Sequence, residues 1–338
     1  MQKILITGFA GFIGYSLVKA LRDKYKIVAF DNFSKLSNYD IKLQRAQNLG
    51  VENPETFTSA QANGVTFYRA DLCDMQALEE VFSVHQFSCI INLAALTGVR
   101  QSLNHPQAYI DANVKGFTNL LECAKKHSVT NIIYASSSSV YGLNEEVPYS
   151  EAQRTDKQMS VYATSKKANE LLADVYTHLY DFNMVGLRFF TVYGPWTRPD
   201  MAAMIFMKAI HEGKPLQLFN EGKMVRDFTN VQDVVKAITL LLEKMKQGER
   251  ISNEVFNVGN HNPIYTIEFL QAIEKAMGKQ AIVDHQPIQP GDMPVTNAST
   301  EKLYSYLGFQ PNTDISEGVK EIVEWYKQYI ASNSAINA

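Results

Sequence analysis

Tyr162 and Lys166 are the residues whose types and spacing most directly suggest chemistry. They stand four positions apart in Ser160-Val161-Tyr162-Ala163-Thr164-Ser165-Lys166-Lys167, so on a helix they share one face. An ammonium beside a phenol favours the phenolate and lowers a pKa that starts near ~10, which makes a general base usable near neutrality. Upstream, Ala135-Ser136-Ser137-Ser138-Ser139-Val140-Tyr141-Gly142 places four consecutive hydroxyls after an apolar run. Buried at a strand end, such hydroxyls require solvent or a polar ligand as partner. Taken alone, Tyr-x-x-x-Lys is also the pattern of a solvated helix face, and a serine run that of a loop. What precedes them gives them weight.

Near the start stands Thr7-Gly8-Phe9-Ala10-Gly11-Phe12-Ile13-Gly14, directly after the apolar run Lys3–Thr7 and opening a helical pattern. Glycines there permit a tight turn, close approach of a pyrophosphate to backbone N–H groups, and close packing of helix on strand. Asp31 follows Gly11 by 20 residues at the end of the second apolar run, where a carboxylate accepts hydrogen bonds from both hydroxyls of an adenosine ribose. Its charge repels a 2′-phosphate, and Asn32 rather than an arginine follows, so the spacing favours NAD over NADP. Asp71-Leu72 and Asn92-Leu93-Ala94-Ala95 end the next runs in the same way. Strand C-termini are where open α/β sheets bind ligands, and small alanines there let a dinucleotide lie against backbone.

The elements that must position these residues alternate. Runs at Lys3–Thr7, Lys26–Phe30, Val65–Arg69, Cys89–Leu93, Asn131–Ser136 and Met184–Phe189 read as strands, with helix-spaced apolar residues between them such as Ile13, Leu17, Ala20 and Leu21. This order predicts an α/β fold, a doubly wound parallel sheet of Rossmann-like type. After Phe190 the rhythm breaks among Pro195, Pro199, Gly213, Pro215 and Gly222, and again at Pro287, Pro290, Gly291 and Pro294. A smaller, loop-rich substrate-binding lobe is expected there. Asn230–Lys246 reads as a helix and Glu254–Val258 as a strand returning to the main sheet. The expected division is therefore 1–188 plus about 228–260 for dinucleotide binding, and about 189–227 plus 261–338 for the other lobe. Ser316–Ile330 reads as an amphipathic helix followed by a frayed end.

Composition narrows the function classes. The 338 residues are 46% hydrophobic and 20% charged, as expected of a globular chain. With 32 Lys+Arg against 35 Asp+Glu, no global field attracts nucleic acid or an anionic membrane. No apolar run approaches the ~20 residues of a membrane span. Cys73, Cys89 and Cys123 lie within apolar-periodic segments and read as buried free thiols, in keeping with a reducing cytoplasm. The seven histidines form no ligand-spaced set, so no metal is expected.

Taken together, these motifs and two further runs, Leu187-Arg188-Phe189-Phe190-Thr191-Val192-Tyr193-Gly194-Pro195-Trp196 and Met224-Val225-Arg226-Asp227-Phe228-Thr229, make nearly the whole chain resemble the extended short-chain dehydrogenase/reductases. Within them it is similar to the nucleotide-sugar 4-epimerases, above all those acting on UDP-glucuronate. The resemblance implies a catalytic set of Tyr162, Lys166 and Ser137. It implies that NAD is held by Gly8, Gly11, Phe12, Ile13, Gly14, Asp31, Asn32, Asp71, Leu72, Leu93, Ala94, Ala95, Thr97, Tyr162, Lys166 and Phe189. It also implies a UDP-sugar contacted by Ser137, Ser138, Ser139, Tyr162, Thr191, Arg198 and Arg226, with the last on the phosphates.

A homodimer is implied through Pro106–Lys126 and Ser160–Leu179, although Leu120, Leu121, Leu171, Leu172 and Val175 would serve equally as intramolecular core. One departure concerns Pro287-Ile288-Gln289-Pro290-Gly291-Asp292, where relatives handling neutral sugars often carry an arginine before Gly-Asp; a second phosphate contact is unassigned. Competing activities are UDP-galactose or UDP-N-acetylhexosamine 4-epimerisation and UDP-glucuronate decarboxylation. Decarboxylases and dehydratases of this fold place an acid just before Val-Tyr-Gly, whereas this chain has Ser138-Ser139. A non-catalytic dinucleotide sensor would typically lack Tyr162 and Lys166.

Overall fold

The structure, a computed structural model, describes residues 1–288 and 293–336, the last four of these by backbone alone. It divides into two compact units: Met1–Glu145, Glu151–Phe189 and Val235–Asn257 form the first, and Glu146–Ser150, Phe190–Val234 and Val258–Ala338 the second. The chain thus leaves the first unit briefly at Glu146–Ser150, a departure without a compositional mark in the sequence.

In the first unit the strands are β1 (Lys3–Thr7), β2 (Lys26–Asp31), β3 (Ser59–Ala62), β4 (Val65–Arg69), β5 (Cys89–Asn92), β6 (Asn131–Ser137) and β7 (Asn183–Phe189). The sheet runs from Asn253–Val258 through β7, β6, β5, β1, β2 and β4 to β3. The six strands from β7 to β4 pair in parallel with their neighbours, and β3 is an antiparallel edge on β4. The parallel strands are nearly continuous apolar runs because both faces are covered; Ile4, Leu5, Ile90, Ile91, Ile132 and Ile133 are all fully buried. β3, with the sequence Ser-Ala-Gln-Ala, lacks β-branched or aromatic residues and carried no strand signal. Strand order reverses between β1 and β5, the switch point at which such sheets open a ligand crevice.

The helices up to β7 are α1 (Phe12–Leu21), α2 (Tyr39–Asn48), α3 (Met75–Val84), α4 (Val99–Asn104), α5 (Pro106–Ile110), α6 (Gly116–Lys126) and α7 (Val161–Tyr180), with a π-turn at Asp111–Lys115 between α5 and α6. α7 begins where Ser160 Oγ accepts from Ala163 N at 3.1 Å, a side-chain cap on the first turn. It ends at Asp181, in the left-handed conformation with φ 60°. A core of Leu5, Val28, Ile90, Ile132, Phe117, Leu120, Leu121 and Met184 lies between sheet and helices.

The second unit has its own core, in which Phe228 stacks on Phe269 at 4.0 Å among Met207, Ile273, Val319 and Ile322. Three small two-stranded ribbons replace a large sheet. Its last helix runs from Ile315 to Ile336, so residues 331–336, expected to fray, continue as helix. The helix expected at Asn230–Lys246 spans Val231–Lys246. Gln289, Pro290, Gly291 and Asp292 of the late loop lie outside the described residues. Among the described residues, no helix is long and apolar enough to cross a membrane.

Candidate active site

Both ends of the glycine turn are fixed by neighbours that leave no room for side chains. Gly8 has φ +75°, and a Cβ there would lie 2.7 Å from Ala94 N; at Gly14 it would lie 2.1 Å from Gly8 O. The turn therefore packs directly on the end of β5, and α1 packs directly on the turn. Gly11 precedes α1 without a side chain to cap it, which leaves the first-turn N–H groups of Phe12, Ile13 and Gly14 directed as an anion site. Thr7 closes the crevice floor: its hydroxyl donates to Asn92 Oδ1 at 2.5 Å and accepts from Ala94 N at 3.2 Å. These features fit the pyrophosphate of a dinucleotide.

Asp31, at the end of β2, is buried and more occupied than its position in the sequence suggests. Its Oδ2 accepts from Ala10 N at 3.1 Å, and its Oδ1 from Phe33 N at 2.8 Å and Lys42 Nζ at 3.1 Å. Lys42 on α2 is itself buried, as is Arg45 one turn later, which donates to Ala10 O at 2.8 Å. Neither cation was singled out from the sequence; their spacing of three on a helix after β2 was the available signal. Asn32 donates to Asp71 Oδ2 at 2.8 Å, and Asp71 Oδ1 accepts from Cys73 N at 2.8 Å, so the ends of β2 and β4 are tied together. Leu72 is buried and its carbonyl accepts from Asn119 at 2.9 Å.

The segment after β5 is held by Asn113 on the π-turn. Its amide pairs with Leu96 through N–H and C=O at 2.8 and 3.0 Å and donates to Ser165 on α7 at 2.9 Å. Thr97 O accepts from Tyr109 at 2.7 Å, and the Tyr109 ring meets Tyr162 edge-on at 6.3 Å. A π-turn inserted between helices re-aims one side chain, a device common at functional sites.

Tyr162 and Lys166 lie on α7, Tyr162 half-buried and Lys166 buried. Lys166 Nζ donates to Ala135 O on β6 at 2.9 Å. Burial lowers the Lys166 pKa to about 8, because removing water penalises the charged form. Two residues beyond Ala135, Ser137 ends β6 beside Phe189 of β7. Its hydroxyl accepts from Ser139 N and donates to Ser139 Oγ, each at 3.2 Å, which starts a 3-10 turn over Ser138–Tyr141. Gly142 ends that turn at φ 56°, where a Cβ would strike Lys157 O at 1.9 Å. The structure thus gathers the glycine turn, Asp31, Asn32, Asp71, Leu72, Leu93, Ala94, Ala95, Ser137 and Phe189 at the C-terminal ends of parallel strands of one sheet, with Lys166 anchored to the same edge.

Thr191, Arg198 and Arg226 belong to the second unit. Thr191 N donates to Asp227 O at 3.1 Å, and Arg198 Nε pairs with Asp200 Oδ1 at 3.0 Å. Arg226 donates to Val225 O at 2.9 Å. Asp227 turns inward: its carboxylate accepts from Asn260 N, His261 N, Ala298 N and Thr229 Oγ1. Burial nevertheless pushes its pKa up, outweighing those four donors. Cys73 is half-buried while Cys89 and Cys123 are buried, all as free thiols. Among the described residues no group of three His, Cys, Asp or Glu side chains is placed to hold a metal.

A glycine turn at the switch point of a parallel sheet, with a lysine-anchored tyrosine helix at the same strand edge, defines a dinucleotide-dependent enzyme of the α/β class. The chain belongs to the NAD dependent epimerase/dehydratase family, whose model matches residues 4–259. It is 41% identical to the CapI protein of Staphylococcus aureus, over 97% of this chain and 99% of that one. It is 40% identical to a probable UDP-glucuronate 4-epimerase of Rhizobium meliloti, over 97% of each. Among solved structures, the UDP-glucuronic acid 4-epimerase of Bacillus cereus in complex with UDP-glucuronic acid and NAD superposes with a TM-score of 0.87 at 31% identity, covering 97% of this chain and 100% of that one.

Proposed function

We propose that the protein is an NAD-dependent isomerase that interconverts UDP-glucuronate and UDP-galacturonate by inverting C4 of the sugar through a 4-keto intermediate. The observation that carries this reading is the placement of Lys166 on Ala135 O, two residues before Ser137, with Tyr162 one turn earlier on the same helical face. In that arrangement Tyr162 takes the proton of the sugar 4-hydroxyl, and Ser137 hydrogen-bonds the same oxygen. NAD, when bound, would supply reversible hydride acceptance at C4, so the overall reaction would carry no net redox change. Lys166, as ammonium, holds the nicotinamide ribose and favours the Tyr162 phenolate. The C4 proton acceptor then becomes the donor when the keto sugar has turned its other face. Ser138 and Ser139 lie in the 3-10 turn next to Ser137, and in this reading they face the sugar carboxylate. Thr191, Arg198 and Arg226 are assigned to the UDP-sugar by resemblance.

The assembly that fits is a homodimer through α7. Leu171, Val175 and Leu179 recur every fourth residue and are about half exposed, at 57%, 47% and 59%. Of the other candidates from the sequence, Leu120 and Leu121 are fully buried in the core of the first unit and Leu172 is partly buried against that core.

The test is to incubate the purified protein with UDP-glucuronate and resolve the products. UDP-galacturonate is expected, with no added nucleotide required. Turnover of UDP-galactose or a UDP-N-acetylhexosamine far above that of UDP-glucuronate would replace the acid-sugar assignment with a neutral-sugar one. A UDP-pentose as main product would make the protein a decarboxylase.

A further inference from the structure

Glu170 follows Lys166 by one turn of α7 and Tyr162 by two, so all three residues share one helix face. Its carboxylate is buried beneath the catalytic set and is fully committed. Ser136 Oγ donates to Glu170 Oε1 at 2.7 Å, and Arg188 approaches as a fork, Nε to Oε1 and Nη2 to Oε2, both at 2.9 Å. Arg188 stands on β7 directly opposite Ser136 on β6. Its third nitrogen, Nη1, donates to Tyr141 Oη at 3.0 Å, and Tyr141 donates to Asn257 Oδ1 at 2.6 Å. The side chains of Glu170 and Arg188 are each only 5% exposed. Burial alone would raise the Glu170 pKa, but the guanidinium and Ser136 outweigh it and hold the carboxyl below its ordinary value.

α7 is therefore braced against consecutive residues of β6. Lys166 reaches Ala135 O and Glu170 reaches Ser136, and the next residue is Ser137. The same Arg188 also fixes Tyr141, the last residue of the 3-10 turn that carries Ser138 and Ser139. A bidentate guanidinium–carboxylate pair has one planar geometry, so it locks distance and rotation where an apolar contact would let a helix slide. Stability alone does not call for such a pair, since well-packed apolar residues of similar volume commonly serve as well or better in a buried site.

We infer that Glu170, clamped by Arg188, is a positioning residue that sets the register of Tyr162 and Lys166 against Ser137. This rests on the catalytic roles proposed above.

The test compares three variants with wild type, each normalised to nucleotide bound per chain: the paired apolar replacement Glu170→Leu/Arg188→Met, Ser136→Ala, and Tyr162→Phe. The paired variant is expected to fold, to retain one nucleotide per chain and to keep KM within about twofold, while kcat falls about tenfold to a hundredfold, the scale of a small misplacement of reacting groups. Ser136→Ala leaves the ion pair intact and loses about threefold or more in kcat; should the paired variant fail to fold, this variant alone decides. A paired variant, or a folded Ser136→Ala, with wild-type kcat per bound nucleotide overturns the inference. So does a loss confined to KM or to nucleotide retention. Tyr162→Phe separates the two levels: if it turns over normally, the catalytic reading fails, whereas an inactive Tyr162→Phe beside a fully active paired variant sinks only the positioning role.

Discussion

Lys42 Nζ stands 3.1 Å from Asp31 Oδ1, with both side chains buried. The carboxylate that would repel a 2′-phosphate is thus partly neutralised by the protein itself. An ionised carboxylate offers about four acceptor sites. Ala10 N, Phe33 N and Lys42 occupy three of them. Replacing Asp31 with Asn while keeping Lys42 leaves an uncompensated cation where a 2′-phosphate would lie. NADP should then gain about tenfold or more relative to NAD, given roughly 3 kcal/mol between unit charges about 5 Å apart at an effective dielectric of about 20. Titrating nucleotide-stripped protein with both dinucleotides checks this, and an unchanged preference in Asp31→Asn would show that Asp31 does not set it. Lys42→Met should lower the midpoint of urea unfolding, because the Asp31 charge is then buried without its partner.

The six parallel strands, the glycine turn and the Tyr-x-x-x-Lys helix were legible because each depends on local rules: apolar runs of strand length, a turn that only glycine can make, and an i, i+4 face. Lys42, Asn113, Glu170 and Arg188 were not, because their roles arise between elements far apart in sequence. Asn113 looks like any polar residue on a helix until the π-turn aims it at Leu96 and Ser165. Arg188 reads as a charge inside an apolar strand, and the partner that makes it tolerable lies 18 residues earlier on α7. Glu146–Ser150 joins the second unit through backbone pairing of Tyr149 with Asn297 and Ser299, a long-range contact without a local signature.

Lys166 should cost the protein stability at neutral pH. Its folded pKa of about 8 lies below the ordinary lysine value. Between those two values the unfolded chain binds more protons than the folded one, so this group makes stability rise with pH. Below about pH 8 the penalty is fully present, on the order of 3 kcal/mol for a shift of this size. Lys166→Met is therefore expected to be more stable than wild type in urea at pH 7, with the gap closing as pH approaches 10. It should also be inactive. A variant less stable than wild type at both pH values would show that the hydrogen bond to Ala135 O outweighs the burial of charge.

The exposed stripe on α7 predicts a concentration-dependent dimer. Val175→Glu places a charge in the middle of Leu171, Val175 and Leu179 without touching the core of the first unit, since Val175 is 47% exposed. Light scattering at micromolar concentration should give a dimer mass for wild type and a monomer mass for the variant, with nucleotide still bound. A wild-type monomer, or a variant that remains dimeric, would place the contact elsewhere or remove it.

Oxidation at C4 of glucuronate makes a carbonyl β to the carboxylate, so decarboxylation competes with return of the hydride in every turnover. Cleavage of that C–C bond requires it to stand out of the plane of the C4 carbonyl, aligned with the π system that becomes the enolate, and hydrogen bonds that hold the carboxylate near that plane disfavour the alignment. Ser138 and Ser139 follow Ser137 directly in the 3-10 turn, both half-buried. Ser139 Oγ is already engaged by Ser137 at 3.2 Å, so removing Ser139 would disturb Ser137 as well. Ser138→Ala is the cleaner probe. A hydrogen bond to a charged group contributes about 1.5–3 kcal/mol, enough to move a partition ratio about tenfold or more. The variant should turn over more slowly and release, beside UDP-galacturonate, at most one UDP-4-keto-pentose per bound nucleotide, because each loss of CO2 without hydride return would leave that nucleotide reduced; both sugars are separable by chromatography and mass. Were Ser138→Ala to match wild type in rate and in product ratio, Ser138 would not contact the carboxylate, and restraint of the keto acid would have to come from other groups.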